Sequence, residues 1–119
     1  LLRGAYVLTD RFTDATYAYQ CGAKGVASEK ILQLETWVQE GLQPDLTLLF
    51  DVPPEVSLQR LSSARAPDKF EREGLAFFEK LRSSYLSRAQ QFPTRFRVID
   101  ANQPLEKVKV IVSEIISTI

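Results

Sequence analysis

Leu46-Thr47-Leu48-Leu49-Phe50-Asp51-Val52-Pro53-Pro54 is the stretch on which the fold turns. From Leu46 to Val52 the residues are mostly apolar, with no period-2 alternation, as expected of a strand covered on both faces. The prolines that follow suit the first turn of a helix, where a fixed φ is pre-organised and a missing N–H costs nothing. Two further runs have the same character, Ala5 to Thr9 and Phe96 to Ile99, and each ends beside an aspartate, Asp10 or Asp100.

The intervals between these runs read as helices. One is expected from Ser28, as N-cap, to Gly41, with Ile31, Leu34 and Val38 on the face turned to the sheet. A second runs from Pro53 and Pro54 through Val56, Leu58 and Leu61 to about Ser63. Residues 62–70 mix small, charged and proline residues in the manner of a mobile loop. A long helix is expected from about Glu71 to Gln91, with Leu75, Phe78, Tyr85 and Ala89 in one stripe. The last helix follows Pro104 and aligns Leu105, Val108, Val112, Ile115 and Ile119. Trp37, Phe77 and Phe78 are assigned to the core. Strands alternating with helices predict an α/β doubly wound fold: three layers, a parallel sheet and helices on both faces. The whole of residues 1–119 reads as a single domain.

Composition narrows the function. The 119 residues are 45% apolar and carry 15 Lys plus Arg against 15 Asp plus Glu. With no net charge and no basic stripe, nucleic acid is not an expected partner. No apolar run approaches a bilayer span and no leader is visible, so neither membrane insertion nor secretion is expected. One cysteine, Cys21, and no histidine remove internal disulfides and the usual zinc sets, and point to a reducing, cytoplasmic setting. Without a Met anywhere, the chain reads as a piece of something longer.

Ligands of parallel α/β sheets gather beyond the carboxyl ends of the strands. After the first run stand Asp10, Arg11, Phe12, Thr16, Tyr19 and Gln20, an arginine able to grip an anion beside donors and acceptors at helical spacing. The plainer alternative is an aspartate that caps a helix and pairs with Arg11. Arg60, Arg65, Asp68, Lys69, Glu71 and Arg72 could close over transferring phosphates, or form only a solvated connector. Asp100, Ala101, Asn102 and Gln103 are a third candidate, or a strand end and helix cap. Cys21, in a glycine-containing loop with no histidine partner, is given no role.

In order, these segments resemble the second half of bacterial thymidylate kinases over nearly the whole chain. The resemblance is carried by Asp10, Arg11, Phe12, Thr16, Ala18, Tyr19 and Gln20, then by Pro44, Asp45, Leu46 and Thr47 leading to Asp51. It continues through Pro54, Glu55 and Val56, then Asp68, Lys69, Phe70 and Glu71, then Phe77, Phe78 and Tyr85, and ends at Ile99, Asp100 and Ala101. It implies a P-loop nucleoside monophosphate kinase-like fold, incomplete on the N-terminal side, that transfers the γ-phosphoryl group of ATP to dTMP with Mg²⁺. It further implies that Arg11 holds the dTMP phosphate, that Asp10 lies near that phosphate and the metal's water shell, and that Thr16 meets the base. Tyr19 would lie against the deoxyribose, with Gln20 beside it. Arg65 would swing to the phosphates from a lid over 62–71 that includes Asp68, Lys69 and Glu71. Arg60 would cover the adenine, and Ala101 and Gln103 would border it. A homodimer is implied for the parent protein.

Three departures accompany the resemblance. The family's glycine-rich run with an arginine is here Cys21-Gly22-Ala23-Lys24-Gly25, and Lys69 replaces a lid arginine, a point charge in place of a planar fork. The chain also has no glycine-rich loop with Lys and Ser/Thr, so the chain alone is expected to be inactive. Another nucleoside or nucleoside monophosphate kinase of this fold, or a non-catalytic kinase-like module, are the competing readings.

Overall fold

The computed structural model describes residues 1–64 and 69–119; the side chains of 62–64 and 69–73 lie outside that description. Helix α1 (Thr13–Thr16) runs directly into a π-helix (Tyr17–Ala23), followed by α2 (Ser28–Gln39), strand β1 (Thr47–Asp51), α3 (Pro54–Ala64), α4 (Lys69–Gln91), strand β2 (Phe96–Asp100) and α5 (Leu105–Ile116). The two strands pair in parallel, from Thr47 opposite Phe96 to Asp51 opposite Asp100. They are joined by the helical crossover that parallel pairing requires. The α/β architecture and parallel sheet are thus as expected.

Several local expectations are corrected. Ala5–Thr9 forms no strand: residues 1–10 are exposed, and Leu2, Tyr6 and Leu8 stand almost wholly in solvent. A strand exists only through a partner for its N–H and C=O groups, and these residues have no ladder. The two strands are not covered on both faces either. Ile99 is buried, but Phe50 and Val98 are about half exposed. Helix α2 buries Ile31, whereas Leu34, Trp37 and Val38 face outward, so Trp37 is no core residue. Its neighbour is the π-helix and not the sheet.

Helix ends follow sequence closely. Ala27, not Ser28, is the N-cap of α2, with no side-chain cap; at the far end Glu40 adopts a left-handed φ of 52° and donates its N–H to the Thr36 carbonyl just before Gly41. Helix α3 continues through Ala64 and α4 begins at Lys69, where a loop was expected over 62–70. Gly74, at φ 77° and ψ −163°, breaks α4 internally, which glycine tolerates because it has no Cβ.

The core lies between the π-helix and α4. Ala18, Phe77, Phe78 and Leu81 are buried together, with Tyr19, Ala23, Leu58, Leu61 and Tyr85 packed against them. Phe77 and Phe78 meet edge to face at 5.4 Å. The two elements approach so closely at Gly22 that a Cβ there would collide with the Ser84 side chain. The radius of gyration is 15.7 Å, against about 13.5 Å for a compact domain of this length, so the packed region is only part of an open structure.

Candidate functional site

The segment from Asp10 to Gln20 is anchored by one face of its helices and presents the other. Asp14, Tyr17 and Ala18 are buried, while Thr16 is exposed and Tyr19 and Gln20 are half-buried. Asp14 sits between two arginines. Arg88 on α4 donates from Nε at 3.0 Å, and Arg95, just before β2, donates from Nη1 at 2.7 Å and Nη2 at 3.1 Å. Arg95 also donates to the Thr47 hydroxyl at 2.9 Å, which joins the cluster to β1. Each guanidinium is stacked as well as paired: Arg88 lies over Tyr17 and Phe92, Arg95 over Phe92 and Phe96, all within 4.9 Å of the ring centres.

Burial by itself would raise the Asp14 carboxyl; hydrogen bonds and charge from Arg95 and Arg88 outweigh it and hold the group below its ordinary value. Next to it, the Tyr17 hydroxyl donates to Glu35 of α2 at 2.8 Å, and Gln43 donates to the other Glu35 oxygen. Burial first, and then the bond to Glu35, push Tyr17 up to about 12.

On the presented side, Arg11 holds a left-handed φ of 66°, uncommon for a residue with a Cβ and a mark of functional segments. Its guanidinium lies 5.3 Å from the centre of the Tyr19 ring. Tyr19 in turn leans on Phe77 at 6.2 Å. Tyr85 of α4 faces the same place. Its hydroxyl is pushed up to about 12, first by burial and then by Tyr19, against the opposing pull of Arg11. The structure therefore brings Arg11 and Tyr19 together. Asp10 is exposed and caps nothing, since the N-cap of α1 is Phe12 without a side-chain bond.

The second cluster lies beyond the carboxyl ends of the strands. The Ala101 N–H donates to the Asp51 carbonyl at 2.8 Å, and the Asn102 N–H to the Asp100 carboxylate at 2.9 Å. The Gln103 amide donates to the Asp100 carbonyl at 2.6 Å. Arg60, near the end of α3, donates to the Ala101 carbonyl at 3.0 Å, which brings these two candidate residues together. Below it, Arg82 of α4 grips Asp51 through two bonds of 2.8 and 3.0 Å. Arg65 and Asp68, and the side chains of Lys69 and Glu71, lie outside the described residues.

Sequence reasoning missed Asp14, Arg88, Arg95, Glu35 and Arg82. The available signal was a charge inside a segment that also had to bury an apolar face. It missed the π-helix too: Cys21 lies in it and not in a loop, its thiol raised by burial and by Glu29. The Cys21 to Gly25 departure from the family pattern therefore falls at the end of a helix and just past it, with Lys24 as the C-cap.

Among the described residues no three carboxylate, thiol or imidazole groups converge on a point. No described helix is long and apolar enough to cross a membrane.

A protein-family model described as Thymidylate kinase matches residues 1–112. The thymidylate kinase of Cupriavidus pinatubonensis is 60% identical over 119 residues, all of this chain and 59% of that protein. That of Methylobacillus flagellatus is 60% identical over 109 residues, 92% of this chain and 54% of that protein. That of Nitrosomonas europaea is 54% identical over 114 residues, 96% of this chain and 53% of that protein. The chain thus spans little more than half the length of the relatives it matches.

Proposed function

Because the chain belongs to the thymidylate kinase family, with the P-loop nucleoside monophosphate kinase-like α/β fold, we propose that it supplies the dTMP-gripping and adenine-bordering parts of an enzyme that phosphorylates dTMP to dTDP with ATP. The observation that supports this best is the Arg11–Tyr19 pair. A cation held over a ring, on a left-handed backbone, at the end of a segment that also presents Thr16 and Gln20, suits a nucleoside monophosphate. In this reading Arg11 grips the phosphate bidentately. Tyr19 occupies the space a 2′-hydroxyl would need, Thr16 reads the base, and Gln20 lines the same side. Arg60 lies over the adenine, which the loop of Ala101 and Gln103 borders. In this reading Mg²⁺ arrives with the phosphates of ATP, and the exposed Asp10 carboxylate is the group suited to its water shell. A cytoplasmic homodimer completes the proposal.

The test joins this chain to the remainder of the Cupriavidus pinatubonensis relative. The complete protein should form dTDP from dTMP and ATP, and residues 1–119 alone should not, since they lack the amides and lysine that cradle the transferring phosphates. Arg11→Ala should weaken dTMP binding by about 1.5–3 kcal/mol, the range for hydrogen bonds to charged groups. Equal calorimetric affinity in both forms would remove Arg11 from the phosphate site. A panel with the ribose counterpart of dTMP and with other nucleoside monophosphates separates this reading from another kinase of the fold, and dTDP formation by the 119 residues alone would contradict the division of labour.

A further inference from the structure

The cluster around Asp14 has no place in the contacts proposed above for dTMP or ATP, yet it is the most heavily bonded group of charges among the described residues. Its components come from five separate places: Asp14 from α1, Tyr17 from the π-helix, Glu35 from α2, Arg88 from α4, and Arg95 at the entry to β2. Arg88 and Asp14 are 74 positions apart in the chain, and Arg95 and Asp14 are 81 apart. The side chains of Asp14, Arg88 and Arg95 are only 8, 12 and 10% exposed. A carboxylate with two cations, all three nearly dry, is costly to assemble and is seldom kept for stability alone.

Its placement suggests its use. Asp14 stands three residues after Arg11 and two before Thr16, on the buried face of the segment whose other face carries them. Tyr17, the next anchored residue, stands two before Tyr19. The segment changes at that point from α-helix to π-helix, a widened geometry that backbone propensity alone does not favour. Arg88 spans the change, bonded to Asp14 on one side and stacked 4.1 Å from the Tyr17 ring centre on the other.

We infer that Asp14 is a positioning residue: the Arg88–Asp14–Arg95 clamp, stacked on Tyr17, Phe92 and Phe96, sets the orientation of the segment that presents Arg11, Thr16 and Tyr19. The inference rests on the dTMP-kinase reading for its kinetic consequence, but not for its structural one. Removing the carboxylate charge releases both arginines and lets the α-to-π junction rotate. The dTMP side then loses alignment, while the Arg60–Ala101 side, built on α3 and the strand ends, keeps its own.

The experiment compares the complete protein described above with its Asp14→Asn and Asp14→Glu variants. For Asp14→Asn, KM for dTMP should rise at least tenfold with KM for ATP within twofold, and amide hydrogen exchange over 17–23 should accelerate at least tenfold more than exchange over β1 and β2. Asp14→Glu, which keeps the charge, should recover part of both effects. If Asp14→Asn does not fold, Arg88→Gln, which leaves the Arg95–Asp14 pair intact, is measured in the same way with the same expectations. A folded variant with KM for dTMP and exchange over 17–23 both unchanged would overturn the clamp. Equal rises in both KM values, or exchange accelerated as much over β1 and β2 as over 17–23, would also overturn it, by making Asp14 a general stabiliser. Accelerated exchange confined to 17–23 in a protein that does not phosphorylate dTMP at all would leave the clamp standing and refute the kinase reading.

Discussion

The two clusters at the site are held by different forces. Around Asp14 the bonds join side chains from remote parts of the chain, in a nearly dry place, and both partners of the carboxylate carry a charge. In the loop from Asp100 to Gln103 the side-chain bonds run between residues two or three apart and involve the backbone, with Arg60 arriving from outside at an exposed position. A buried clamp of charges fails when one member is removed, because the others are left without water or counter-charge. A local turn loses one bond at a time.

The largest effect that tests this contrast is Asp14→Ala. Two arginines then stay buried without a carboxylate, and urea unfolding of the complete protein should show a loss of about 3–5 kcal/mol. Asp100→Ala removes a single hydrogen bond at an exposed turn and should cost about 0.5–1.5 kcal/mol. Comparable losses at the two positions would abolish the distinction.

The same region sets the pH limits. The Asp14 carboxyl, lowered in the folded state from 3.8, contributes stability that is present above that value and is lost as pH falls below it. Tyr17 runs the other way. Raised in the folded state from 10.0 to about 12, its hydroxyl contributes stability that is whole below pH 10 and is lost as pH rises towards 12. Thermal melts across pH should therefore decline at both ends. Asp14→Ala should flatten the acid limb, and Tyr17→Phe the alkaline one. Tyr85, also raised to about 12, keeps part of the alkaline limb in Tyr17→Phe. An unaltered alkaline limb in Tyr17→Phe would take Tyr17 out of the cluster's energetics.

A smaller effect is expected where the π-helix crosses α4. Gly22→Ala places a methyl group against the Ser84 side chain and should cost about 1–3 kcal/mol, the range for overpacking. Ser84→Gly in the same protein should return most of it, and no recovery would mean that the crossing is adjustable. The smallest effect belongs to Arg60→Ala. One exposed bond to the Ala101 carbonyl is lost, at a cost of about 0.5–1.5 kcal/mol, so KM for ATP should rise only a few-fold and the melting temperature should fall by only a few degrees. A drop in melting temperature as large as that of Asp14→Ala would show that the Arg60–Ala101 cluster is as integrated as the other.

Much of the site was legible in the chain because its residues are close in sequence. Arg11 and Tyr19 are eight positions apart, within a segment whose composition announces a polar surface. Asp100, Asn102 and Gln103 form a turn that their residue types favour, an aspartate accepting the N–H two residues on. The Arg60–Ala101 contact spans 41 positions; the family pattern assigned each of the two to the adenine, and their bond to one another was not foreseen. The extended segment before Asp10 shows the opposite failure. Tyr6, Val7 and Leu8 carry strong β preference, but preference supplies no partner strand.

The amino-acid sequence by itself determined the periodicities, and with them the helices α2 to α5, the strands β1 and β2, and the parallel α/β class. These depend on residues within a few positions of one another, and on the direction in which successive side chains point. The tertiary structure alone decided which charges are buried and with whom. Asp14 reads in the chain as an ordinary helix-start carboxylate. It becomes a clamp because α4 and the entry to β2 deliver Arg88 and Arg95 to it across more than seventy residues, and there the scarcity of water leaves each of the three charges dependent on the others.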